Sequence, residues 1–213
     1  MKQSQMKPLS PQLKVTGIGA SAGGLEAFST FFKAMPNDSG MAFVLVAHLD
    51  PEHTSLLPEL IQKTTEMKVY QVVDNMKVKP NSIYIIPPKK EIAILNGKLQ
   101  LLEMRGRYTL IQPINNFFHS LGQDQKQQAI AIILSGTGSD GAQGIQSVKG
   151  EGGLVIVQEP ETAKYDGMPR NAIATGLVDF TLSPEEMPEQ LLKYVNLNPK
   201  LHYENMRLYV NSS

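Results

Sequence analysis

A chain of 213 residues, 41% of them hydrophobic, is long enough to bury one substantial core, and its 20 basic residues balance 20 acidic ones, so no overall field draws it to nucleic acid or an anionic membrane. The absence of cysteine excludes disulfides, thiolate catalysis and thiolate-bound zinc and is compatible with a reducing cytosol. No segment has the apolar length of a signal core or a membrane span, so the expectation is a cytoplasmic protein with neither a nucleic-acid partner nor membrane insertion.

Residues 1–12 are polar and proline-punctuated and read as a flexible lead-in; a folded domain is expected over 13–197, with 198–213 a peripheral tail or the start of a linker. The apolar segment that begins at Val15 runs into Gly19-Ala20-Ser21-Ala22-Gly23. It continues as a helix in which Leu25, Phe28, Phe31 and Phe32 recur at helical spacing until Met35-Pro36-Asn37-Asp38 ends it. Met41 to Ala47 is a continuous apolar run, as in a strand covered on both faces, and it ends at His48. Leu56 to Lys63 suits a helix, and Val69 to Ile86 reads as short strands broken by Pro87-Pro88, with Lys89-Lys90-Glu91 a solvated turn. Ile92 to Leu102 is expected to form a hairpin around Asn96-Gly97.

Residues 114–127 suit a helix with Phe117, Phe118 and Leu121 inward, and Ala129 to Leu134 is another buried strand. It ends in Ser135-Gly136-Thr137-Gly138-Ser139-Asp140-Gly141, a second glycine turn before a helix. Leu154 to Val157 makes one more strand, Gly167-Met168-Pro169-Arg170 opens a short helix, and Pro184 to Tyr194 closes the domain as a helix. Strands alternating with helices predict an α/β fold: a doubly wound, mainly parallel sheet with helices on both faces and an antiparallel hairpin portion.

The G-x-S-x-G turn makes Ser21 the leading nucleophile, because a serine on a tight strand-to-helix turn needs small neighbours so that the backbone can bend and substrate can approach. Two plainer readings stand beside it: Ser21 as the cap of the following helix, and Gly17 to Gly24 as a nucleotide- or phosphate-binding turn. In a doubly wound sheet, sites form beyond the carboxyl ends of the strands. Ser21, His48 and Asp140 each follow a different predicted strand. Together they supply a hydroxyl, an imidazole to take its proton and a carboxylate to orient that imidazole. Taken singly, His48 would be a polar turn residue and Asp140 the cap of the helix after it. The order Ser, His, Asp differs from the Ser, Asp, His order of α/β-hydrolases. His48, Asp50 and His53 lie close together, but Pro51 interrupts them and no third histidine-rich segment completes a metal set. No metal and no cofactor are assigned. His119, on a predicted helix, and His202, in the tail, read as structural or exposed.

The same residues resemble the catalytic domain of the CheB-type chemotaxis protein-glutamate methylesterases. The resemblance runs from about Val15 to Val195 and rests on Gly19 to Gly24, His48, Ile85-Ile86-Pro87-Pro88, Leu134 to Gly141, Gly152-Gly153 and Gly167-Met168-Pro169-Arg170. It implies a doubly wound α/β domain whose triad is Ser21, His48 and Asp140, with Ala22, Thr137, Met168 and Arg170 as oxyanion- or substrate-site candidates. It also implies a hydrolase that removes glutamate γ-methyl esters from methyl-accepting chemotaxis receptors and deamidates glutamines there. Thr137 stands where the family commonly has methionine in its Gly-Met-Gly turn. His48-Leu49-Asp50-Pro51-Glu52-His53 resembles the subgroup fused to a CheR-type methyltransferase, which implies a fused methyltransferase or other signalling domain. The competing expectations are a nucleotide- or phosphate-binding module and a catalytically inactive signalling adaptor.

Overall fold

Residues along the central strands alternate between two apolar sets, so the sheet must be covered on both sides. The computed structural model describes residues 13–47, 51–103 and 112–195, with the backbone alone for 51–55. Among these residues, β1 (Val15–Ala20), β2 (Ala42–Ala47), β3 (Lys68–Gln71), β5 (Ser82–Ile85), β8 (Ala129–Ile133), β9 (Leu154–Gln158) and β10 (Phe180–Leu182) form one sheet in the order β10-β9-β8-β1-β2-β5-β3. Every pairing in it is parallel. From central β1 the chain winds outward through β2, then returns to β8 on the other side and winds outward again. The winding therefore reverses between β1 and β8, the place where such sheets open a crevice at their carboxyl ends.

On one face, α1 (Gly24–Ala34), α2 (Pro51–Gln62) and α6 (187–195) cover Ile18, Phe43, Leu45, Ile83, Ile130 and Ile132. Phe31, Phe32 and Phe43 meet there edge-to-face with ring centroids 5.0 to 5.9 Å apart, the arrangement that aromatic quadrupoles prefer. The other face carries α3 (Pro113–Gln125), α4 (Gly144–Gly150) and α5 (Gly167–Ile173), packed on Val15, Val44, Val46, Ala131 and Ile133. α3 lies close to β1 because Gly17 and Gly19 leave it room. A Cβ on Gly17 would sit 2.7 Å from Phe117 Cε1, and one on Gly19 would collide with Ile114. Gly122 and Gly144 likewise bring α3 and α4 together: Cβ atoms there would lie 2.7 Å from the Ser147 carbonyl oxygen and from Phe118 Cβ, respectively.

The antiparallel portion is a separate small sheet of β4 (Met76–Lys77), β7 (Lys98–Glu103) and β6 (Lys90–Leu95). Its turn is Asn96-Gly97, both at positive φ (51° and 67°), the conformation that a tight hairpin turn demands of this dipeptide. Asp124 of α3 accepts the backbone N–H groups of Asn96 and Gly97 and so clips the hairpin to the helix. The hairpin begins earlier than the apolar pattern indicates. Lys90 and Glu91, expected in a solvated turn, are strand residues, with Lys90 paired to Glu103 and Glu91 accepting a hydrogen bond from Asn116. The lead-in expected at 1–12 and the tail expected at 198–213 lie outside the described residues.

Gly19→Val tests the close approach of α3 to β1. It should destabilise the domain by about 1–3 kcal/mol, as overpacking of a filled core does, and urea unfolding followed by circular dichroism measures this.

Candidate active site

At the carboxyl edge of the sheet, three chain segments are stitched together by hydrogen bonds. Leu134 N donates to Gly19 O at 2.9 Å, and Ser21 N donates to Ser135 O at 3.0 Å, so the ladder between β1 and β8 continues into both glycine turns. Gly24 N donates to Ser21 O at 2.9 Å to close the first turn. Gly23 there has φ 75°, a left-handed conformation suited to glycine. A Cβ at Gly23 would also fall 2.6 Å from Ser135 Oγ. The N-cap position of α1 is occupied by Gly23, two residues beyond Ser21. Ser21 is therefore not the helix cap of the plainer reading.

Ser135, 1% exposed, is the hub that joins the segments. Its N–H donates to Gln158 Oε1 at 2.8 Å, its Oγ donates to Ala22 O at 2.8 Å, and the same Oγ accepts Tyr165 N–H at 3.0 Å. Gly136 N then donates to Tyr165 O at 2.9 Å and Met168 N to Gly136 O at 2.8 Å. The glycine at 136 also opens space beside the candidate nucleophile, since a Cβ there would lie 3.0 Å from Ser21 Cβ and would collide with Met168 Sδ.

Asp140 follows the second turn. Its Oδ2 accepts Ile114 N–H at 3.1 Å and its Oδ1 accepts Asn115 N–H at 2.9 Å. The carboxylate thus holds the first turn of α3, where the helix dipole is positive. This corrects the expectation that, as a cap, it would serve the helix after it. That helix, α4, is capped instead by Asn115, whose Oδ1 accepts Gly141 N–H at 2.9 Å and Gly144 N–H at 2.8 Å. Each helix start is held by a residue from the other segment.

The remaining sequence candidates separate. Ala22 is half-buried beside Ser21, and Thr137 is exposed on its turn. Met168 is 1% exposed, in the core beneath Gly136, and its N–H is already given to Gly136 O. Its side chain packs under the turn at Gly136. Arg170 is exposed and paired with Asp166 at 2.5 Å and Glu161 at 3.4 Å. The guanidinium hydrogen bond holds the Asp166 carboxyl below its usual range. His48, Asp50 and His202 lie outside the described residues, as does the His53 side chain. His119 sits exposed on α3 with Nδ1 2.7 Å from Ser147 Oγ and Nε2 3.1 Å from Gln123. The joining roles of Ser135, Gln158 and Asn115 escaped the sequence reading: each is an ordinary polar residue that bonds a segment far away in the chain.

Gly17 and Gly19, which suggested a phosphate-binding turn, lie inside β1 and are filled by α3 side chains. In a dinucleotide fingerprint the glycines open the turn toward the pyrophosphate, so the geometry removes the support for that alternative.

The family profile described as CheB methylesterase matches residues 16–191. The chain belongs to the CheB methylesterase family. Among its relatives, a Leptospira interrogans protein named as a putative protein-glutamate methylesterase/protein-glutamine glutaminase is 31% identical over 83% of this chain and 92% of that protein. The Thermotoga maritima protein-glutamate methylesterase/protein-glutamine glutaminase is 31% identical over 85% of this chain, which spans 54% of that protein. A 104.1 kDa protein of Rhodobacter capsulatus is 38% identical over 68% of the chain, which spans 15% of it. The crystal structure of the Thermotoga maritima CheB methylesterase catalytic domain superposes with a TM-score of 0.79 at 29% identity, covering 86% of this chain and 99% of that one. The doubly wound sheet with its appended antiparallel portion is thus the CheB catalytic fold, in a family whose named members are hydrolases.

Ser135→Ala removes the hub hydroxyl and leaves the Tyr165 N–H without that acceptor. The expected cost is about 1–3 kcal/mol for an unsatisfied buried donor, measured by thermal denaturation.

Proposed function

We propose that this chain hydrolyses glutamate γ-methyl esters, and deamidates glutamines, on methyl-accepting chemotaxis receptors in the cytoplasm through a triad of Ser21, His48 and Asp140. One observation carries the reading. In the register of the central strands Ala20 is paired with Ala47, and Ser21 and His48 are the next residues in the chain. They follow paired positions at the carboxyl edge, beside the point where the winding of the sheet reverses. Asp140 follows the neighbouring strand β8 and is anchored to α3. The names of the Leptospira and Thermotoga relatives agree with this chemistry. That the chain spans 15% of the Rhodobacter protein supports the view that such a domain is carried within longer proteins; the fused partner proposed for this chain is a methyltransferase or another signalling domain.

The residues perform the reaction in two halves. Ser21 Oγ attacks the side-chain carbonyl of the methyl glutamate or glutamine, and His48 takes the hydroxyl proton. Charge that develops on the carbonyl oxygen meets backbone N–H groups at the turn, with Ala22 and the Thr137 turn as the candidate donors. His48 returns the proton to the leaving methanol or ammonia. Water, deprotonated by the same imidazole, then releases the glutamate carboxylate and regenerates Ser21. Asp140 fixes the tautomer of His48 and stabilises its cation. The exposed Thr137 side chain leaves the backbone donor of its turn in place.

Ser21→Ala and His48→Gln should each lower turnover on the order of a thousand-fold or more, and the double variant should be little worse than either, because triad members act as a unit. Methanol release from radiolabelled methylated receptor measures this, and additive losses would count against a shared mechanism. Asp140→Asn should lower kcat by roughly a thousand-fold or more while sparing KM. It should also cost about 1 kcal/mol of stability, since one of the two α3 N–H groups loses its oxygen acceptor. Near-normal turnover in that variant would leave Asp140 with the α3 cap alone.

A further inference from the structure

The side chain of Asn115 has no place in the chemistry, yet it lies against the segment that carries Asp140. It is 7% exposed at the start of α3. Two backbone donors, Gly141 N at 2.9 Å and Gly144 N at 2.8 Å, converge on its Oδ1, and this convergence identifies the atom as oxygen. Nδ2, by contrast, is buried and makes no hydrogen bond among the described residues. A buried donor left unmet is a cost that structures generally avoid. What the position needs is therefore the acceptor.

The two donors it holds belong to the residue immediately after Asp140 and to the first residue of α4. The backbone N–H of Asn115 itself donates to Asp140 Oδ1 at 2.9 Å. Asp140 is thus held from two directions, through its carboxylate by the α3 backbone and through its chain by the Asn115 side chain. Gly144 leaves no slack in this arrangement, since a Cβ there would lie 2.8 Å from Asn115 Cα. We infer that Asn115 is a positioning residue for the hydrolysis: its carbonyl oxygen fixes the Asp140 segment, and through Asp140 the imidazole of His48. The inference rests on the triad reading above.

If so, Asn115→Ala lowers kcat by roughly ten- to a hundred-fold with KM within about twofold, because what is lost is orientation in the transition state and not substrate binding. In an Asp140→Asn background the same substitution costs less than about threefold, because the group through which it acts is already disabled. Asn115→Asp keeps the acceptor and removes the orphaned donor, and it retains at least a third of the parent turnover. This variant decides the matter if Asn115→Ala does not fold. All are measured as methanol release from radiolabelled methylated receptor by the full chain, with circular dichroism melting as the check on folding. A raised KM with unchanged kcat, a fully additive loss in the double variant, or an Asn115→Asp variant as poor as Asn115→Ala would overturn the inference. Normal turnover in Asp140→Asn overturns the triad reading itself. Collapse in Asp140→Asn beside unchanged turnover in Asn115→Ala overturns the positioning role alone.

Discussion

The close approach of α3 to β1 is the constraint on which the architecture of the crevice depends. Two glycines in the central strand let the helix settle where any side chain would hold it off, with Ile114 seated over Gly19. Gly19 is two residues before Ser21, and Ile114 is one of the two residues whose N–H groups grip Asp140. A short chain of contacts therefore runs from the first glycine turn, through the start of α3, to the carboxylate after β8. Were the helix lifted by the width of a methyl group, Asp140 would lose its anchor relative to Ser21, although both residues would keep their places in the sequence.

The remaining rigidity comes from backbone groups satisfying one another around Ser135. Turns after β1, β8 and β9 exchange hydrogen bonds there in a buried setting, where an unmet group is costly and a met one fixes the geometry. A side chain mounted on such a frame has little freedom to shift, which is the advantage of building a site on the ends of strands in a rigid sheet. Glycines at 23 and 136 serve the frame in different ways, one by adopting a left-handed backbone and the other by leaving room.

Much of this was legible in the sequence because it depends on neighbours a few residues apart. Continuous apolar runs gave β2, β8 and β9, the Phe28-Phe31-Phe32 spacing gave α1, and Asn96-Gly97 gave the hairpin. The turn carrying Ser21 and the turn before Asp140 were visible as glycine clusters after apolar runs. What could not be read has partners far away. Asn115 serves Gly141 and Gly144, and Ser135 serves Ala22 and Tyr165, and a lone polar residue in a helix or after a strand carries no mark of such service. β10 escaped because three residues at a sheet edge are too few to display a period. The glycines at 17 and 19 were read as a turn when their work is in a strand, since an absent side chain looks the same in either setting.

The bond between Ser135 Oγ and Ala22 O spans 113 positions of the chain, and this separation bears on how the domain comes into being. A contact of that range carries a large loop-closure entropy, and parallel pairings of this kind form slowly. While the chain is emerging from the ribosome, the strand that leads into Ser21 is made long before β8, so the first half must wait with its central strand unpaired on one side. The turn that carries Ser21 acquires these bonds only after more than half of the domain has been synthesised. A fragment that ends before β8 lacks Ser135 and so cannot hold the turn at Ser21 and Ala22 in this shape.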